Sequence, residues 1–406
     1  MSDTMQKTGV TAPQGFKAGG VHCGIRKSRQ KRDLALIVSD RPANAAAVYT
    51  QNLVKGAPLT VTKAHLQDGK AQAIIVNSGI ANTCAADGIE KAEAMCALAA
   101  KALSLPQEDV LVASTGVIGP SIVMDPIEAG MPALIEALSV DGGSDAAEAI
   151  MTTDTVKKQV VTTVTLGGKR CTLGGMAKGS GMIAPNMATM LCFLTTDAAV
   201  DSALLDEALH EVIDDTFNMM SVDGDTSTND NVIILANGAA GNAMITEKNA
   251  DYAAFVEALH TLCSDLCRRL AKDGEGATKL LEIKVSGGKT VKDARTIAQS
   301  VNRSSLLKAA MFGADANWGR VLCAIGYAGA EVNVRGVQVA FCSKAGRIVV
   351  CEHGAGIPFD EDIAKTILSE DEIVIDITLS DGDAHATAFG CDLTYDYVKI
   401  NGDYRT

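Results

Sequence analysis

The residue most suited to chemistry is Thr189, which stands in GGMAKGSGMIAPNMATMLCFLTTD, residues 174 to 197. Glycine there permits backbone geometry that a side chain would block, and Pro185 stiffens the turn, so the chain before Thr189 can be held in a strained shape. If the Thr189 hydroxyl attacks the carbonyl of Ala188, the peptide bond becomes an ester, and its hydrolysis frees the Thr189 α-amine. An α-amino group titrates at about 7.7 to 8.0, so near neutral pH it can accept the proton of its own hydroxyl. One residue then supplies nucleophile and base. The plainer reading makes Thr189 an ordinary β-branched strand residue among ordinary turn glycines, and composition alone favours that.

Other catalytic motifs are missing. The sequence contains no H-E-x-x-H, no G-x-S-x-G and no strand-linked G-x-G-x-x-G. IKVSGGKT (283 to 290) imitates a phosphate-binding loop but has Ile283 where the first glycine is required, and it reads as a turn. The 11 cysteines are scattered among apolar neighbours, as reduced buried thiols are. Cys263 and Cys267 share a helical face, but no second pair of Cys or His completes a zinc site, so no metal is expected.

The elements that must position the chemistry can be read from periodicity. Apolar residues recur at helical intervals in 88 to 103, 202 to 220 and 251 to 272. Short β-branched runs at 73 to 77, 110 to 114, 231 to 237 and 372 to 379 read as strands. Two alternating runs flank Gly167 and Gly168, predicting a hairpin that leads into the Thr189 segment. Further hairpin signals at 337 to 350 and 372 to 389 predict a smaller C-terminal α/β lobe from 285 onward. Strands and helices alternate without a regular βα unit or a repeat, so the expected fold is α+β, a layered sandwich of sheets and helices.

The segment KGSGMIAPNMATML resembles the self-cleavage and nucleophile signature of the ornithine acetyltransferase, or glutamate N-acetyltransferase, family. The likeness extends along the chain through GVTAPQGFKAGGVHCGIR, ALIVSDRPANAAAVYTQN, VNSGIANTCAADG, STGVIG, IMTTDT, DGEGATK, GADANWGR and NGDYRT. It implies an N-terminal-nucleophile-like sandwich that cuts itself between Ala188 and Thr189 into an α chain (1 to 188) and a β chain (189 to 406). Residues 189 to 284 would complete the main sandwich. The implied reaction moves acetyl from N-acetylornithine to glutamate in arginine biosynthesis, ping-pong through acetyl-Thr189. Thr115 and Gly116 would form the oxyanion hole. Thr152, with Thr153 as a neighbouring alternative, Lys178, Thr189, Glu275, Asn401 and Thr406 would contact substrate. Lys178 suits a carboxylate and Glu275 an ammonium. No metal or nucleotide cofactor is implied; some members also accept acetyl-CoA, and no motif here decides that. An α2β2 heterotetramer is the expected assembly. Two positions depart from the family pattern: Gly402 where a small residue, usually Ala, is expected, and Lys55-Gly56 within VKGAPL.

Bulk properties exclude other classes. A net charge of −13 argues against nucleic acid as a partner. No apolar run approaches the roughly 20 residues that cross a bilayer, and the N-terminus lacks signal or transit character, so a cytoplasmic protein is expected. Two rivals remain: a self-processed aminopeptidase or amidase in which water takes the acyl group, and an uncleaved amino-acid-binding protein.

Overall fold

The structure, a computed structural model, describes residues 8–26, 31–184 and 190–403. Its first part runs through β1 (Phe16–Val21), β2 (Leu34–Tyr49), α1 (Ala57–His65), β3 (Lys70–Ile80), α2 (Gly88–Leu103), β4 (Val110–Val117), α3 (Met124–Glu136) and α4 (Gly143–Ala149). Then come β5 (Lys158–Leu166), β6 (Lys169–Lys178), β7 (Leu191–Thr196), α5 (Ser202–Asp215), the short β8 (Met220–Ser221), β9 (Asn231–Ala236) and α6 (Ala250–Lys272). The first sheet has the order β4-β3-β2-β9-β7-β6-β5, with β1 also on β2.

Strand β2 explains how this sheet becomes a sandwich. Its first half pairs with β1 and β3, its second with β9, and its register shifts between Val38 and Ala43. The sheet folds back there, and its halves face one another. Ile37, Ile74, Val76 and Leu111 from one half share a buried cluster with Met176, Phe193, Ile233 and Leu235 from the other. Residues one position along each strand point outward. Leu36, Ile75 and Val112 pack under α1 to α3, whereas Leu173, Leu194, Val232 and Ile234 pack under α5 and α6. Strands covered on both faces need near-continuous apolar sequence, and these have it.

The hairpin through Gly167 and Gly168 forms as its sequence predicts: φ is +53 and +77 at the two glycines, the left-handed pair that a primed turn requires. The expected helix over 202 to 220 stops at Asp215. Thr216 turns its hydroxyl back to the Val212 carbonyl at 2.7 Å and leaves helical geometry, and Met220 and Ser221 are drawn into strand pairing with Phe389 and Gly390.

The second part contains β10 (Leu280–Gly288), α7 (Val291–Asn302), α8 (Ser305–Phe312), α9 (Trp318–Gly326), β11 (Gln338–Ser343), β12 (Gly346–Glu352) and β13 (Ala355–Gly356). It closes with α10 (Glu361–Leu368), β14 (Glu372–Thr378), β15 (Ala384–Cys391) and α11 (Tyr395–Asp403). Its sheet has the order β13-β12-β11-β14-β10-β15-β8. Three expectations change here. The segment 372 to 389 is not a hairpin, because β10 lies between β14 and β15 and pairs with both. Most of IKVSGGKT is strand β10 rather than a turn, and its Thr290 caps α7 by accepting from the Asp293 amide. A lobe boundary at 285 would cut β10, so this sheet starts at Leu280 and also borrows β8.

Candidate active site

The folded sandwich brings the ends of β4 and β6 together. Thr115 and Gly116 end β4, paired with Ser78 and Gly79 of β3. Gly116 has φ +132, and a Cβ there would lie 2.3 Å from the Gly79 carbonyl carbon, so only glycine fits. Lys178 ends β6 on the facing half-sheet and is 8% exposed. Its ammonium donates to Thr152 Oγ1 at 2.7 Å and to Thr115 Oγ1 at 3.2 Å. Thr153 instead pairs its hydroxyl with Ser180 at 2.7 Å, so Thr152 is the threonine that faces Lys178.

A second cluster adjoins this one. The Glu275 amide donates to the Ser180 carbonyl at 2.8 Å, and Asn401 Nδ2 donates to Glu275 Oε2 at 2.8 Å. Gly181 leaves room for that carboxylate: an added Cβ would lie 2.4 Å from the Glu275 carboxyl group. Residues 178 to 181 therefore carry a buried ammonium at one end and lie against a carboxylate at the other. Such a strip matches a zwitterionic ligand with one carboxylate and one ammonium. Ala188, Thr189 and Thr406 lie outside the described residues.

Buried charge holds the strip. Lys158 is fully buried and donates to Asp154 Oδ1 at 2.6 Å and Asp273 Oδ2 at 2.5 Å. Asp154 also accepts from the Gly179 amide at 2.7 Å and the Thr152 amide at 2.9 Å. Burial opposes ionisation of Asp154, but the Lys178 and Lys158 ammonium groups outweigh it and hold the carboxyl below the usual carboxylate range. Burial pushes the Lys178 pKa down from the usual lysine value, against the pull of Asp154. Burial drives Asp230 well above its ordinary value, and its Oδ2 has no hydrogen-bond partner.

Asn229 fastens the two half-sheets. Its Nδ2 donates to the carbonyls of Ala81 at 2.5 Å and Ser114 at 3.0 Å, while its Oδ1 accepts from Thr83 at 2.5 Å and Thr228 at 2.6 Å. The Ser114 carbonyl immediately precedes Thr115, so this contact fixes the end of β4. Sequence reading missed Asp154, Lys158 and Asp273. The available signal was an Asp and a Lys four apart, beside IMTTDT, whose two side chains turn inward while the three residues between them stay exposed.

A four-layer sandwich that joins hydroxyls, a glycine amide and a buried ammonium where two half-sheets meet defines an α/β enzyme of the acyl-transfer class. The ArgJ family matches residues 17–406. The arginine biosynthesis bifunctional protein ArgJ of Symbiobacterium thermophilum is 52% identical over 400 residues, covering 98% of both chains. Its counterpart from Caldanaerobacter subterraneus is 50% identical over 398 residues, again covering 98% of each. The crystal structure of the Bacillus halodurans protein of that name is 45% identical, with a TM-score of 0.50 over 52% of this chain and 98% of that one. The chain belongs to the ArgJ family, and it is an acyltransferase of arginine biosynthesis.

Proposed function

We propose that the chain transfers the acetyl group of N-acetylornithine to glutamate through an ester on Thr189, after cutting itself between Ala188 and Thr189. The freed amine takes the proton of the Thr189 hydroxyl as its oxygen attacks the acetyl carbonyl. Thr115 Oγ1 and the Gly116 N–H stabilise the resulting oxyanion, each such donor contributing about 2.7 to 4 kcal/mol. Collapse breaks the amide C–N bond, and ornithine departs with the proton held by the amine. Glutamate then attacks the ester by the reverse path, giving N-acetylglutamate and free Thr189.

The observation that carries this reading is the contact of Lys178 with both Thr115 and Thr152, because it sets a carboxylate-binding charge beside the oxyanion donors. Glu275 and Asn401 bind the side-chain ammonium of ornithine, and Thr406 is a further substrate contact in this reading. Nothing in these steps calls for a metal or a nucleotide cofactor. The relatives' description as bifunctional supports acetyl-CoA as a second acetyl donor. The α chain (1 to 188) and β chain (189 to 406) stay paired, assembled as α2β2. Among the described residues no helix is long and apolar enough to cross a membrane, which accords with a cytoplasmic enzyme.

Intact mass and N-terminal sequencing of wild type and Thr189→Ala test the cleavage. Two fragments, one starting Thr-Met-Leu-Cys, are expected from wild type and one intact chain from the variant. An intact wild-type chain would overturn the mechanism. Acetate release independent of glutamate would instead favour an amidase.

A further inference from the structure

Thr152, Lys178 and Glu275, assigned above to substrate, lie on three separate segments: 152 to 155, 178 to 181 and 273 to 275. All three are hydrogen-bonded to one buried ionic group. Asp154 receives the amides of Thr152 and Gly179 on different oxygens, at 2.9 and 2.7 Å. Lys158 bridges Asp154 to Asp273 at 2.6 and 2.5 Å. Asp273 in turn accepts the Thr155 amide at 3.1 Å and also its hydroxyl, and lies two residues before Glu275. Asp154 is 4% exposed and Lys158 is 1% exposed, so neither can touch a ligand from bulk solvent.

We propose that Asp154 is a positioning residue of the acyl-transfer site, acting through Lys178 and Thr152, with Lys158 and Asp273 extending its hold to the Glu275 segment. The inference rests on the acetyl-transfer reading above. Its chemistry is electrostatic. One carboxylate fixes the backbone on both sides of the Thr152–Lys178 contact and supplies the negative charge that keeps the buried Lys178 protonated. A neutral amide in its place can still accept one hydrogen bond, but its NH2 then faces the remaining donors.

The groups that face Lys178 electrostatically are Asp154 and Asp230, which favour its charged form, and Lys158 and Arg26, which oppose it. Opposite predictions follow for two near-isosteric changes. In Asp154→Asn, Lys178 loses protons more easily, so the alkaline limb of kcat/KM moves to lower pH. In Lys158→Gln, a repelling charge is gone, and the same limb moves to higher pH. A general loss of folding would scale activity down in both without moving either limb.

The experiment is the pH profile of kcat/KM for acetylornithine with saturating glutamate in the cleaved wild-type enzyme and both variants. KM for acetylornithine is also expected to rise about tenfold in Asp154→Asn, as expected for a weakened charge-assisted contact. Wild-type activity with an alkaline limb that stays in place in whichever variant folds, or moves the same way in both, would overturn the positioning role. Absence of acetylornithine-dependent transfer in the wild type would overturn the underlying reading instead.

Discussion

At the residue scale, the site depends on atoms that allow little substitution. Thr115→Ala removes one oxyanion donor and is expected to lower kcat by about 100- to 1,000-fold with a small change in KM, measured in steady state. Gly181→Ala pushes the Glu275 carboxylate from its seat, so KM for acetylornithine should rise while kcat holds. Asp154 also makes a pH prediction for stability. Its folded pKa is depressed, so the stability it contributes is present above the unfolded value of about 3.9 and is lost as pH falls through the folded one. Asp230, raised by burial, has the opposite sign. The fall in Tm between pH 7 and pH 3 should therefore be smaller in Asp154→Asn than in wild type; an equal fall would show that Asp154 is not ionised in the fold. Thr115, Lys178 and Glu275 could be singled out from sequence because they stand in recognisable motifs, and the structure sets Thr115 against Lys178. Asp154 and Lys158 were not, because their meaning comes from Asp273, more than a hundred positions away.

At the element scale, local patterns were legible where neighbours in sequence are neighbours in space. The 88 to 103 helix has the expected bounds, and the Gly167-Gly168 hairpin forms with its primed turn. The 372 to 389 segment misled because a strand from another part of the chain, β10, separates two runs that alternate like a hairpin. Helix α6 shows what its close cysteines do. Burial raises the thiol pKa of Cys263 and of Cys267, and both pack with Leu262 and Leu266 against the outer face of β6 and β7. Leu266 is fully buried, and an added Cβ at Gly175 of β6 would lie 3.0 Å from its side chain. Leu266→Ala should cost about 2 to 5 kcal/mol in urea unfolding, through a cavity that the flat strand cannot fill.

At the scale of the whole molecule, the two sheets share a core. Leu280, Phe389 and Cys391 of the second lobe are buried in the cluster formed by α5, α6 and the first sheet, and β8 crosses over to edge the second sheet. A chain truncated before Leu280 is expected to aggregate or lose near-UV circular dichroism, rather than fold as an independent sandwich. That coupling was hidden in the sequence, because β8 is only two residues long and has no pattern of its own. The sandwich itself was legible in kind, but its folding back at β2 depends on a register shift that composition does not mark. The same folding back sets Thr115 beside Lys178, the contact on which the proposed acyl-transfer site is built.

The central claim is that Thr189 carries the acetyl group between substrates. Intact mass of the β chain after incubation with acetylornithine alone, then after adding glutamate, tests it most directly. One added acetyl group on the peptide beginning with Thr189, discharged by glutamate as N-acetylglutamate, is the predicted result. A β chain that never gains mass while N-acetylglutamate still forms would contradict it.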